Sequence, residues 1–338
     1  MIVSVAVASG TSFCGFASAE VRDKAVVSLT FDDLPDTSAT TTADSAKTGK
    51  VADAVTLTQT PSRIPSAFVA GSAGASLLLN PAMKQQVVIA NSEDVSRPDA
   101  VSVSGLFANL EPGNSAAFHG LFAKRHPTAD TSNYGINFNS ASDVFQVYVN
   151  DGSGYKVVNY SVKKTLGDRR RVHITICLNN ADAPGADADT DVDDVRLRVF
   201  VNGVPATPTS TAAGFIEGNI GWLQDVSLAK CVSDTPVTIG SSFTDGEMLR
   251  LVCDEFHLFA EALTDEEAAA LFNEVAGASV AEISKEQSAG ADSSHVQPII
   301  GRVIPHAIEI NKKTRVQLAG KSLEGARLHT DVPGITSE

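Results

Sequence analysis

The chain has few aromatic residues, few cysteines and no surplus of positive charge. Phe, Trp and Tyr make up 6% of 338 residues, and a single Trp limits any platform for stacking sugar rings. Lys and Arg number 26 against 40 Asp and Glu, a formal charge of −14. A nucleic-acid footprint needs a basic face, so general nucleic-acid binding is excluded. No C-x-x-C pair occurs, which argues against a structural zinc site or a thioredoxin-type centre. Gly-x-Ser-x-Gly, Walker and dinucleotide fingerprints are also missing. None of the seven His falls at i, i+4 on the predicted helix, which disfavours a zinc hydrolase. Beyond the N-terminus no apolar run approaches the length of about 18 residues that spans a membrane. What remains, 43% hydrophobic and 20% charged residues, is the composition of a folded globular protein. The length suits one large domain, or one domain and a fragment.

Residues 1–19 carry no charged side chain, Ile2 to Ala8 is apolar, and Ala17-Ser18-Ala19 supplies a small-x-small cleavage pattern. The expectation is a signal peptide over 1–19 without a basic leading region, a mature chain from Glu20, and a secreted or periplasmic protein. Cleavage removes Cys14 and leaves Cys177, Cys231 and Cys253, an odd number that allows at most one internal disulfide. Cys231 with Cys253 is the favoured pair, against the alternative of three buried thiols.

From Ala25 to Ala260 short β-branched runs alternate with Gly, Asn, Asp and Pro. Strands are predicted at Val26–Phe31, Val101–Phe107, Tyr134–Phe138, Val144–Val149, Val172–Leu178, Val195–Val201 and Leu251–Phe259. In Val172–Leu178, Val172, Ile174, Ile176 and Leu178 share one face, and His173, Thr175 and Cys177 the other. Val195–Val201 repeats the pattern, with Arg196, Arg198 and Phe200 facing outward. Such alternation reads as half-buried antiparallel strands. Asn150-Asp151-Gly152 and Asn202-Gly203 are the turns that reverse them. One helix is predicted at Asp265–Ala276. Thr264 and Glu267 form a capping box, and Ala268, Leu271, Phe272 and Val275 form one apolar face that closes the sandwich edge. Residues 277–297, rich in Ala, Ser, Gly and acid, read as a linker. In residues 298–338 Pro298–Pro305 and Thr314–Gly320 read as two more strands, too few for an independent unstapled core.

Five ordered pieces carry a family resemblance: Val172–Leu178, Arg198-Val-Phe-Val-Asn-Gly203, Pro236-Val-Thr-Ile-Gly-Ser241, Cys253-Asp-Glu-Phe-His-Leu-Phe259 and Ala262-Leu-Thr-Asp-Glu-Glu267 with Leu271-Phe272. Together they resemble laminin-G-like domains of the concanavalin A-like lectin/glucanase superfamily. The resemblance implies an all-β, two-sheet antiparallel jelly-roll sandwich over residues 20–276, with one short C-terminal helix. Residues 298–338 resemble the opening of an immunoglobulin-like domain, a partial second β-domain in a chain cut from a longer protein. Domains of the first kind are usually non-catalytic modules for glycans or proteins, often beside a Ca²⁺ ion.

The chemistry agrees with a non-enzyme. Glycosidases of this superfamily alternate carboxylates along one strand, about 5 Å apart. Glu93-Asp94, Asp254-Glu255 and Glu266-Glu267 are adjacent pairs instead, and on a strand neighbours point to opposite faces. Arg171, Arg196 and Arg198 form a candidate basic patch for sulfate or uronate groups, and Tyr134 and Tyr155 are candidate sugar-stacking rings. Pairing the two alternating strands as a hairpin puts Arg198 near Thr175 and Arg196 near Cys177. The loop Ala181–Asp194 holds six Asp in 14 residues. Asp187-x-Asp189-x-Asp191 offers carboxylates to a Ca²⁺ ion, although Val192 stands where an EF-hand needs Gly. The sequence thus points to a secreted, non-catalytic ligand-binding or adhesive module for carbohydrate, an extracellular protein or another polymer. A ligand-free architectural spacer competes with that reading, and a glycoside hydrolase is disfavoured.

Overall fold

Alternation along the chain sets the first core. Val172, Ile174, Ile176, Leu178, Val195, Leu197 and Val199 all point inward and meet Ile136, Phe145, Val147 and Val158 from across the sandwich. The computed structural model describes residues 21–31, 41–42, 46, 55–57, 62–65, 75–112, 118–126, 133–139, 142–161, 172–183, 194–231, 233–243, 246–276, 299–304 and 317–321. The expected signal peptide, the 277–297 linker, Arg171, Asp187, Asp189 and Asp191 lie outside these residues.

Two units divide at Val280 and Ala281. In the first, the described strands form a ten-stranded and a nine-stranded sheet, antiparallel throughout. The strands that matter below are β1 (Ala100–Pro112), β2 (Val172–Asn180), β3 (Val195–Val201), β4 (Gly214–Glu217), β5 (Ile220–Leu223) and β6 (Leu249–Phe259). They run across the ten-stranded sheet in the order β4-β5-β3-β2-β1-β6, and Ala75–Leu79 continues it beyond β6. Tyr155–Ser161, Val144–Asn150, Asn133–Asn139 and Phe118–Lys124 lie side by side in the opposing sheet. Neighbours far apart in sequence, such as β1 between β2 and β6, give the antiparallel two-sheet sandwich that the alternation predicts and the jelly roll that the family resemblance implies. In the second unit, Ile299–Ile304 pairs antiparallel with Gln317–Lys321 through a bulge between Ile300 and Arg302.

The helix α1 spans Asp265–Ala276, as its capping box predicts. Thr264 N–H donates to Glu267 Oε2 at 2.8 Å, and Glu267 N–H donates to Thr264 Oγ1 at 3.2 Å. Its position differs from expectation. α1 lies on the outer face of the ten-stranded sheet rather than at the sandwich edge. Leu106, Cys177, Phe200 and Phe259 project outward there and form a second, smaller core with Leu263, Ala268, Leu271 and Val275. That is why β2 is buried on both faces rather than half-buried: His173 and Thr175 are fully covered. Val21 and Arg22 fasten the same layer, their N–H groups donating to the two Glu274 oxygens at 2.8 and 2.9 Å.

Two further expectations are corrected. The β2–β3 register pairs Arg198 with Cys177 and Arg196 with Asn179, two residues from the hairpin drawn on apolar pattern alone. β2 runs on through Asn179 and Asn180, past its last apolar residue. Asn180 is held there because its amide donates to Pro98 O at 2.8 Å and its Oδ1 accepts from Leu228 N–H at 2.9 Å. No disulfide joins Cys231 to Cys253: these and Cys177 are buried thiols. Burial pushes the Cys177 thiol up to about 11 and the Cys253 thiol well above its ordinary value. Among the described residues no helix is long and apolar enough to cross a membrane.

Candidate functional site

The outer face of the ten-stranded sheet has a covered half and an open half. On the covered half, beneath α1, Ser104 Oγ lies 2.7 Å from His173 Nε2, and Thr175 Oγ1 donates to Ser104 at 3.1 Å. A serine beside a histidine suggests a nucleophile and its base. Both are sealed from solvent, however, and His173 Nδ1 has no partner to orient the ring. Burial, with His257 next to it, pushes the His173 imidazole down to about 3. Asp254 and Glu255 are also engaged locally. Asp254 accepts from Ser76 Oγ at 2.8 Å and from Glu255 N–H at 2.9 Å, while Glu255 Oε2 meets His257 Nε2 at 3.2 Å.

The open half is built by β3, β5 and β4. The turn Gly218-Asn219, with Gly218 at φ 59°, reverses β4 into β5 and sets the register Phe215–Trp222 and Glu217–Ile220. Pairing of β5 with β3 then aligns Trp222 with Arg196 and Ile220 with Arg198. The result is a row of three side chains. Phe215 and Trp222 stack with centroids 6.1 Å apart and planes 18° apart, and the Arg196 guanidinium lies 5.9 Å from the Trp222 ring centre. In the next row Arg198 sits 5.6 Å from the Phe200 ring. Arg198 also pairs with the Asp265 carboxylate at the start of α1 and donates to Leu263 O at 2.6 Å.

Between these rows lies a pocket of about 230 Å³ lined by Arg196, Arg198, Phe200, Pro205, Asn219, Ile220 and Asp265. Arg196 Nε, Arg198 Nε and Trp222 Nε1 are buried donors without an acceptor. Among the described residues Arg196 has no carboxylate partner, whereas Arg198 does. A buried donor normally finds an acceptor, so two on arginines that line one pocket, with the indole N–H of Trp222 in the row beside it, suit this surface to an acceptor-rich ligand.

The structure therefore brings Arg196 and Arg198 together and separates them from the tyrosines. Tyr134 is corrected as a sugar-stacking residue. It is 2% exposed, faces the core, and donates its hydroxyl to Val95 O at 3.2 Å, and burial raises its phenol above the ordinary range. The alternation of its strand turns it inward beside Ile136 and Phe138. Tyr155 is 37% exposed but stands on the opposing sheet, with Arg125 5.5 Å from its ring centre. Of the six Asp in the acidic loop, Asp182 and Asp194 are described, Asp182 exposed and Asp194 buried. The Asp194 carboxylate oxygens accept from Ala183 N–H at 2.9 Å and Asp225 N–H at 3.0 Å, and the Asp194 carbonyl accepts from Ala181 N–H at 3.0 Å. Trp222, Phe215, Ile220 and Asn219 were missed in the sequence. Their signal was alternation on both sides of Gly218-Asn219, in strands only four residues long.

No family model matches the chain, and no curated protein does. Among solved structures it is similar to the binding domain of Paraclostridial Mosquitocidal Protein 1, with a TM-score of 0.49, 12% identity, and 75% of this chain and 53% of that one covered. It is also similar to the binding domain of botulinum neurotoxin DC, solved in complex with rat synaptotagmin II, with a TM-score of 0.47 and 14% identity. The binding domain of botulinum neurotoxin serotype C1 gives a TM-score of 0.48 and 12% identity. The chain spans about half the length of these structures.

Proposed function

We propose that this chain is a non-catalytic ligand-binding module of a secreted or periplasmic protein, built on a laminin-G-like sandwich, with carbohydrate or another extracellular polymer as its ligand. The observation that carries this reading is the open-half pocket, where two lining arginines hold buried donors without acceptors next to a stacked Arg–Trp–Phe row whose indole N–H is also unpaired. A sugar offers the two things this surface wants, hydroxyl acceptors and a ring face for apolar walls. The Ser–His and Asp–Glu groups are buried or bonded to their neighbours, so the surface is suited to holding a ligand rather than to cleaving it.

The test is a glycan and matrix-protein array probed with the full chain. Specific binding without release of reducing ends supports the module. Binding to nothing favours an architectural spacer, and released reducing ends would make it a hydrolase.

A Ca²⁺ ion held by Asp187, Asp189 and Asp191 belongs to the same proposal. Its support is the closed base of the acidic loop, where Asp194 ties Ala181 and Ala183 together through main-chain and carboxylate bonds. Crowded carboxylates repel one another until a cation offsets them. Millimolar Ca²⁺ is expected to give binding heat with the wild type and none after Asp187, Asp189 and Asp191 are all changed to Asn. Equal heats from the two proteins overturn it.

A further inference from the structure

We infer that the Arg196–Arg198 pocket takes one monoanionic sugar unit, a uronate carboxylate or a sulfate ester, with Arg196 as its counter-ion. This rests on the binding-module reading and narrows it to a charge, a size and a position.

Charge comes first. Arg198 is neutralised by Asp265, while among the described residues Arg196 meets the Trp222 ring and no carboxylate. Among the described residues the pocket therefore presents one cation without a carboxylate partner, on a chain whose formal charge is −14. A single positive charge matches a carboxylate or sulfate ester, whereas a phosphate monoester brings close to two negative charges and would leave one unpaired. Stacking on Trp222 fixes the plane of the guanidinium, which presents its donors as a fork suited to two oxygens of one acid group.

Size comes second. About 230 Å³ lies below the roughly 300–1,000 Å³ of sites that swallow drug-sized ligands, so the pocket holds one unit and not a run of them. Its walls are divided. Arg196 and Asn219 are polar, and Thr207 Oγ1 donates to Asn219 Oδ1 at 2.9 Å, leaving the amide N–H groups to offer. Ile220, Pro205 and Phe200 supply the apolar side against which a pyranose ring can rest.

Position can be read directly because Trp222 is the only tryptophan in the chain. An anion on Arg196 changes the field at that indole, so its fluorescence reports binding at the Arg196 guanidinium. The experiment titrates the full chain with trigalacturonate, galactose 6-sulfate, neutral galactotriose and inorganic phosphate, read by calorimetry and Trp222 fluorescence. At least one of the two acidic sugars is expected to bind with a fluorescence change, and the stronger identifies carboxylate or sulfate. Galactotriose and phosphate are expected to bind at least about tenfold more weakly. Arg196→Gln is expected to lose about tenfold or more toward the acidic sugar, and Arg196→Lys, which keeps charge without the fork, to lose less. Lys84→Asn removes an exposed cation elsewhere, at a φ of 52° that Asn tolerates, and is expected to bind as wild type. Unchanged melting temperatures in these variants separate lost binding from lost folding.

Several results would overturn the inference. Equal affinity for galactotriose, tighter binding of phosphate, no effect of Arg196→Gln, or calorimetric binding without a fluorescence change would each remove the monoanion site. The broader reading would survive them. Binding of no probe here, together with no array ligand, would remove both.

Discussion

Lowering the pH from 7 to 5 is expected to cost the first unit about 2 kcal/mol of unfolding free energy, a loss traceable to His173. Burial under α1, with His257 beside it, holds this imidazole at about 3 against an ordinary 6.5. The folded-state value lies below the unfolded one, so the unfolded chain takes up the proton first. The stabilisation is complete above pH 6.5 and is lost progressively as the pH falls towards 3. Each unit in that window is worth about 1.4 kcal/mol, and 6.5 to 5 gives about 2. Glu267 and Asp151, whose carboxyls are held below their ordinary values by hydrogen bonds and nearby Lys, lose their contribution only at lower pH. Above pH 5 these two carboxyls therefore leave the slope unchanged. Urea titrations at half-unit pH steps measure the slope, and His173→Gln is expected to flatten it. An unchanged slope in that variant would place the acid sensitivity elsewhere.

His173 also shows how much of this protein could be read in advance. The alternation of Val172–Leu178 put His173, Thr175 and Cys177 on one face of β2, and that is where they are. What a period of two cannot say is whether a second layer covers that face. Here the covering layer is α1, whose apolar stripe was legible but whose docking surface comes from four strands, three of them distant in sequence. The site was half legible for a related reason. Arg196 and Arg198 were visible as outward residues of a strongly patterned strand. Trp222 and Phe215 reach them through a short hairpin joined edge to edge, and a pairing partner leaves no mark on local spacing. Tyr134 misled because strand propensity does not give the facing side. Lys124 is the opposite case, an ordinary cation in the sequence that the fold buries completely. Its ammonium donates to Asn91 Oδ1 at 2.8 Å, Ser233 O at 3.0 Å and Thr235 O at 2.5 Å. Burial brings it down to about 8.

Phe272→Ala is expected to be the most damaging single truncation on α1, costing about 3–5 kcal/mol. The Phe272 side chain is 1% exposed, its ring lies 5.6 Å from the His173 ring, and its Cβ would stand 3.2 Å from a Cβ added at Gly203. The main chain of the Asn202-Gly203 turn therefore approaches α1 closely, and removing a ring from so tightly packed a seam leaves a costly cavity. The same change opens a path for water to His173. Hydration of the imidazolium would bring its folded-state value back towards 6.5, so the variant should be less stable at pH 7 and less sensitive to acid below it. These two effects have one cause and opposite consequences for the pH profile, which distinguishes an unseated helix from a general loss of packing. Urea midpoints of the variant and the wild type at pH 7 and pH 5 suffice. A loss below about 1 kcal/mol at pH 7, or an acid slope as steep as that of the wild type, would mean that Phe272 is not what seals the histidine beneath α1.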